Sequence, residues 1–232
     1  MKKILKKFLI FIIIIGGLFV CNRFLFIESQ KINIKDNKLN LNNNDKLINE
    51  DNNEIILVNR KNGLDKEYKP ENSTIPNIPF TANSSNEEKH VAGIIAKPLE
   101  ELVNTVKKEG ITLLGNSAYR SYKSQKNTYN NRVKTAGKES ADAYVAEPGF
   151  SEHQTGMCID ITNEDKYFLK GTKEADWLAE NCYRFGFIIR YPYGKRNITG
   201  IEYEPWHIRY VGKKAAKYIY DNKITLEEYL RK

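Results

Sequence analysis

The segment Gly156–Thr162, GMCIDIT, sets an aspartate in the middle of an apolar run that reads as a β-strand. Alternation along the pleat puts Met157, Ile159 and Ile161 on one face, the ordinary core face, and Cys158, Asp160 and Thr162 on the other. A carboxylate there needs a partner, a metal or a solvated sheet edge to be tolerated. Two of the chain's three histidines fall beside acidic residues in short turn-rich stretches: His153 in SEHQTG, just ahead of this strand, and His207 in EPWH. Zinc takes imidazole and carboxylate ligands, and a catalytic zinc site uses three of them and leaves a fourth position open. His153, Asp160 and His207 make up such a set, with Glu204 left as a base for an attacking water. Each stretch also has a plainer account, the first as a sheet edge and the second as a core tryptophan flanked by surface polar residues. A third stretch, SAYRSYKSQ, puts Arg120 in a loop between a strand and a helix, where a guanidinium can grip a carboxylate or an oxyanion. His90, beside EEK, is expected on a helix surface without a functional role.

The chain of 232 residues has room for one domain and something more. Residues 1–27 open with Lys2, Lys3, Lys6 and Lys7 and run into an apolar stretch from Phe8 to Cys21, the charge pattern of a segment inserted with its N-terminus in the cytoplasm. That stretch is short beside the ~20 residues of a spanning helix, but it resumes after Asn22 and Arg23 as FLFI. An uncleaved membrane anchor is expected, with a cleaved signal as the alternative; no small-x-small cleavage site stands where one is needed. In both cases the rest of the chain is exported, and a monomer is expected. Residues 28–53, rich in Asn, Lys and Asp without a sustained period, read as a flexible tether, and residues 54–232 as the globular domain. Of the net charge of +8, +5 falls in residues 1–50 and +3 in the rest, and no basic–aromatic stripe appears in the domain, which excludes nucleic acid as the partner. Three cysteines fit an exported protein that does not depend on disulfides, Cys158 and Cys182 being the possible pair within the domain.

Helices and strands mix in the domain without regular alternation, which predicts an α+β fold: a small, mainly antiparallel sheet with flanking helices. EIILVN, from Glu54, reads as a short strand. Val91–Val106 carries a helical apolar stripe with Pro98 inside it and Gly110 as its stop, and residues 111–115, ITLLG, read as a strand. Helices are predicted over residues 122–137, over ESADAYVA and over 174–186, the last running into the strand FIIR. WHIRYV is a strand, with Glu204 projecting from the loop that Pro205 holds extended ahead of it. KKAAKYIY and TLEEYLRK are short helices, the second capped by Thr225.

Taken together, the three stretches resemble a known family. SEHQTGMCID is similar to the Ser-x-His-x-x-Gly-x-Ala-x-Asp motif of the VanY-like zinc D-alanyl-D-alanine carboxypeptidases, and EPWH to their Glu-x-x-His motif. SAYRS resembles their Ser-Gly-Tyr-Arg-Ser loop, and YGKRNITG the stretch preceding the second motif; the resemblance runs roughly from Leu57 to Gly212. It implies a small α+β zinc peptidase fold, shared with D-Ala-D-Ala dipeptidases and lysostaphin-type enzymes. It also implies zinc on His153, Asp160 and His207, Glu204 as general base, Arg120 steadying the tetrahedral oxyanion, and Gln125, Ser151 and Tyr119 on the substrate. Two positions depart from the pattern. Ala118 replaces a glycine, and Cys158 replaces the motif's alanine on the face shared with Asp160, where it reads as a buried, inert small residue.

The implied activity is that of an exported zinc carboxypeptidase removing the terminal D-alanine from peptidoglycan stem peptides. An L,D-carboxypeptidase is the runner-up. It accepts a long diamino side chain and needs an acidic partner for the amine, for which Glu147 and Glu152, flanking the loop into His153, are the candidates, each reading equally as a solvated loop charge. An endopeptidase and a wall-binding module without turnover are further alternatives; Glu204 argues against the module, since holding zinc takes only the three ligands.

Overall fold

The computed structural model describes residues 55–231. The expected anchor and tether lie outside them, and no helix among the described residues is long and apolar enough to cross a membrane. Four strands, β1 (Leu114–Ser117), β2 (Cys158–Thr162), β3 (Phe187–Tyr191) and β4 (Glu204–Tyr210), form one antiparallel sheet in the order β1-β2-β4-β3. Helices α1 (Gly93–Lys108), α2 (Tyr122–Ala136), α3 (Lys138–Tyr144), α4 (Lys173–Asn181), α5 (Arg196–Thr199), α6 (Lys213–Asn222) and α7 (Leu226–Leu230) flank it. The expected α+β class and mainly antiparallel sheet are what the structure shows.

Register divides the sheet into two chemically different faces. Ile159 stands opposite Ile208, and Ile208 opposite Ile189. Directly opposed residues share a face, and this one packs on the stripe of α1 (Ile95, Leu99, Leu102, Val103, Val106) and on Trp177 and Leu178 of α4. On the other face Asp160 stands opposite His207, and Cys158 and Ile188 both opposite Arg209. A second cluster, Ile188 with Val211, Ala215, Ala216, Ile219, Leu226 and Tyr229, docks α6 and α7, with Ile55 and Leu57 against it. A full capping box starts α7: the Thr225 hydroxyl accepts from the Glu228 N–H at 3.2 Å, and the Glu228 carboxylate accepts from the Thr225 N–H at 2.8 Å.

Several boundaries differ from the sequence expectation. The described part of EIILVN, residues 55–59, forms no strand: two of its carbonyls serve side chains instead, Ile56 accepting from Arg209 at 2.7 Å and Val58 from Arg190 at 3.5 Å. The first strand starts at Leu114 rather than Ile111, and β2 at Cys158, after the turn at Gly156. The single helix predicted over 174–186 divides into α4 and a 3-10 turn, Cys182–Phe185, which Gly186 closes at φ +88°. Glu204 and Pro205 are not in a loop but open β4, Glu204 opposite Tyr191. His90 is not on a helix surface; it closes the 3-10 turn Glu87–Lys89, its Nδ1 2.7 Å from the Asn86 carbonyl. Cys158 and Cys182 are buried and free, so the possible pair is not formed.

Gly156 ends the turn that carries His153 into β2. Its φ is +66°, and its carbonyl accepts from the Ala92 N–H at 2.9 Å. A Cβ there would lie 2.8 Å from the Ala92 nitrogen and 3.0 Å from Pro70 Cβ. Gly156→Ala is expected to cost about 1–3 kcal/mol, from the left-handed backbone and the lost contact together. The check is urea unfolding, with a lower midpoint at unchanged slope.

Candidate active site

The side chains singled out in the sequence converge because two different backbone devices aim them at one point. Asp160 and His207 face each other across β2 and β4. His153 comes from the 3-10 turn Glu152–Thr155, pinned from two sides: the Arg120 N–H donates to its carbonyl at 3.1 Å, and its Nδ1–H donates to the Ala118 carbonyl at 2.7 Å. That bond leaves Nε2 as the free nitrogen of His153, 3.5 Å from Asp160 Oδ2, while His207 Nδ1 lies 3.1 Å from Asp160 Oδ1. The two rings meet edge to face with centroids 5.0 Å apart. Asp160 Oδ1 is nonetheless buried without a hydrogen-bond partner. An orphaned carboxylate oxygen beside two imidazole nitrogens is the arrangement a bound cation relieves. Two nitrogens and a carboxylate opening onto a cavity suit zinc with one position free.

Cys158 offers a second possible set, since its thiol lies within 4.8 Å of a nitrogen of each histidine. It is wholly buried and does not line the cavity, and burial raises its pKa, keeping the proton that a metal would have to displace. It backs the site, as a small inert residue, while Asp160 faces the opening.

The cavity in front of these groups has a volume of about 520 Å³. Arg120, Gln125, Ser151, His153, Asp160, Glu204 and His207 all line it; Tyr119 does not. Tyr119, next to Arg120, has its N–H bonded to the His90 carbonyl at 2.9 Å and is half-buried outside the cavity wall. Gln125 is committed at both ends, accepting from Arg120 Nη1 at 2.8 Å and donating to the Ala146 carbonyl at 2.7 Å. With Ser117 Oγ accepting from Arg120 Nη2 at 2.8 Å, it holds the guanidinium over the cavity. Glu87 in turn receives the Ser121 N–H at 2.6 Å and the Ser124 hydroxyl at 2.8 Å, tying down the start of α2.

Two carboxyls share the cavity and behave oppositely. Burial alone would raise Asp160, but His153 and His207 bring it down to about 2. Glu204, 6% exposed, is pushed up to about 8 by burial, the Asp160 charge adding to the effect. It stands 3.7 Å from His207 Nδ1 and is suited to taking and returning a proton near neutrality. Strict alternation with Ile208 would turn Glu204 to the α1 face. The β3–β4 register slips between Ile189 and Tyr191, where β4 begins, and Glu204 reaches the cavity. Burial, reinforced by Arg120, pushes His153 down to about 3. His207 is raised in spite of burial, by Cys158, Asp160 and Glu152.

Sequence reasoning misassigned Glu152. It is 1% exposed, its Oε1 accepting from Arg190 Nε at 2.7 Å and Arg209 Nη1 at 2.6 Å. These two arginines outweigh the effect of burial and hold its carboxyl well below the usual range. Glu152 is therefore neither a solvated loop charge nor a partner for a substrate amine. Glu147 is exposed, 3.7 Å from Lys138, and outside the cavity wall. The available signal was Arg190 in FIIRY and Arg209 in WHIRY, charges inside apolar strands that require buried carboxylates.

The VanY family model, described as D-alanyl-D-alanine carboxypeptidase, matches residues 88–213. The chain is 43% identical over 185 residues to the putative carboxypeptidase YodJ of Bacillus subtilis (strain 168), covering 78% of this chain and 68% of that one. It is 38% identical over 185 residues to a D-alanyl-D-alanine carboxypeptidase of Enterococcus faecalis, covering 76% and 65%. Among solved structures, the LdcB LD-carboxypeptidase superposes with a TM-score of 0.70 at 42% identity, over 76% of this chain and 85% of that one. The vancomycin-resistance D,D-pentapeptidase VanY in complex with Zn(II) gives 0.64 at 35%, over 75% and 97%. The matched segment contains every residue that converges on the cavity, and the chain belongs to the VanY family of D-alanyl-D-alanine carboxypeptidases.

Proposed function

We propose that the protein is a zinc D,D-carboxypeptidase that removes the terminal D-alanine from peptidoglycan stem peptides. On this reading it works outside the cytoplasm, held near the membrane by its N-terminal segment. The observation that carries the reading is the convergence of His153 Nε2, Asp160 and His207 Nδ1 beside an orphaned Asp160 oxygen, with Glu204 and Arg120 on the same cavity. His153, Asp160 and His207 would hold zinc, which when bound would supply a Lewis acid for the scissile carbonyl and lower the pKa of the attacking water. Glu204 takes the proton of that water and returns it to the leaving amine. Arg120, fixed by Gln125 and Ser117, donates to the oxyanion of the tetrahedral intermediate.

Two features of the cavity support removal of one terminal residue. Arg132 lines it on the α2 side and makes no ion pair among the described residues, its one hydrogen bond a 3.5 Å contact with Ser140. It lines the same cavity as Arg120 and Gln125, and on this reading it receives the free carboxylate of the leaving D-alanine. The carboxylates on the cavity wall are Asp160 and Glu204, both engaged in the chemistry. Among the described residues no further acid lines the cavity to receive the amine of a diamino side chain, which favours D-alanine ahead of the cut. The L,D-carboxypeptidase reading keeps specific support in the likeness to LdcB.

His153→Ala and His207→Ala are expected to lose zinc and activity together, by metal analysis and turnover. Glu204→Gln should keep zinc while kcat falls about a hundredfold. A peptide ending in D-Ala-D-Ala should be hydrolysed with a kcat/KM at least about tenfold above that of the tetrapeptide ending in one D-Ala, a difference of about 1.4 kcal/mol. The reverse preference would establish the L,D activity on the same zinc site. Arg132→Gln should raise KM for the free pentapeptide and leave a C-terminally amidated one unaffected; equal effects on both would remove Arg132 from carboxylate recognition.

A further inference from the structure

Behind the cavity lies a cluster that the proposed chemistry does not use. Glu152, Arg190, Arg209 and Glu227 have side chains 0–3% exposed. Arg190 forks onto Glu227, Nη1 to Oε2 at 2.9 Å and Nη2 to Oε1 at 2.7 Å, while its Nε goes to Glu152 Oε1. Arg209 reaches the same Glu152 oxygen and the carbonyl of Ile56. The two guanidiniums and two carboxylates balance in charge, and both arginines concentrate on one oxygen of Glu152.

The other oxygen is the informative one. Glu152 Oε2 is buried and has no hydrogen-bond partner; the same is true of His207 Nε2, and the two atoms are 3.6 Å apart. A ring that offers Nδ1 to a metal must carry its proton on Nε2, and a buried N–H needs an acceptor. Glu152 Oε2 stands on that side of the ring, while Nδ1 faces Asp160 and Glu204.

We propose that Glu152 is the positioning residue of the metal centre: it receives the Nε2–H of His207, which orients the ring with Nδ1 toward the cavity, and the Arg190–Arg209–Glu227 cluster holds Glu152 in that attitude. Through Glu227 the last helix, α7, belongs to the support of the site, although it contributes nothing to the cavity wall. The inference rests on the reading of His207 as a metal ligand.

Glu152→Gln separates this role from bulk stability. A glutamine must direct its single oxygen at the two arginines, because its NH₂ group cannot face them, and so presents an N–H to His207 Nε2. That turns the ring toward the wrong tautomer. With the full chain, zinc affinity measured by chelator competition should weaken by about 10–100-fold, the scale for losing such a partner. In the zinc-loaded wild type, nitrogen-15 NMR should show the His207 ring proton on Nε2, protected from exchange. Leu99→Ala, a cavity in the α1 core on the opposite face of the sheet, serves as a destabilised control whose zinc affinity per folded molecule should stay within about threefold. A Glu152→Gln protein that binds zinc within threefold of wild type would overturn the proposal. So would a loaded wild type with the ring proton on Nδ1, or with a freely exchanging Nε2–H, a measurement that stands even if the variant fails to fold. Zinc retained by His207→Ala would instead remove the ligand reading itself.

Discussion

Two arginines and two glutamates buried beneath the sheet are the constraint around which the rest of the domain is arranged. Removing four charged groups from water is costly, and buried ion clusters as a rule contribute little net stability against an apolar replacement. Once one member is present, however, the others become obligatory, because an unpaired charge left in the interior costs several kcal/mol. Arg190 and Arg209 come from β3 and β4, Glu152 from the turn before β2, and Glu227 from the last helix. The cluster also draws in the carbonyls of Ile56 and Val58 at the start of the described residues. Segments far apart in sequence are brought into one register by the requirement that every charge find a partner.

The site uses this rigidity on the polar face of a two-faced sheet. The α1 and α4 core fixes the isoleucine face, and alternation then leaves Asp160 and His207 side by side on the other. Burial sorts the two cavity carboxyls: Asp160, between two imidazoles, is held at about 2, while Glu204, with less compensation, rises to about 8. Two acids in one pocket with separated pKa values is how a site divides its labour between holding charge and moving protons. The loop before α2 completes the arrangement, since Ser117 and Gln125 fix Arg120 from both sides and Glu87 fixes the loop.

Where the sequence was legible, local physics decided. The α1 stripe, the start of α2 behind Ser121 and the Thr225 capping box are settled by contacts within a few residues, and they stand close to where periodicity put them. The strand EIILVN failed for the opposite reason: an apolar β-branched run is no strand without a partner edge, and arginine side chains took its carbonyls. Glu204 read as a loop residue because Pro205 follows it, yet proline is compatible with the first residues of a strand. Glu152 looked like a loop charge because nothing local reports burial, and Tyr119 looked like its neighbour Arg120 although only Arg120 lines the cavity.

The sequence by itself determined the chemistry at stake: an aspartate in an apolar strand, two histidines beside acids, and an arginine loop, in motifs spaced as a known family spaces them. It also determined the α+β class and the position of the longer helices, which follow from periodicity and capping. Only the tertiary structure decided which nitrogen of each histidine faces the cavity, that Gln125 serves Arg120, that Cys158 stays behind the site, and that Glu152 stands against His207. Those outcomes depend on strand register and on the pairing of buried charges contributed by remote segments. Register and burial are properties of the assembled sheet, and no single stretch of the chain carries them.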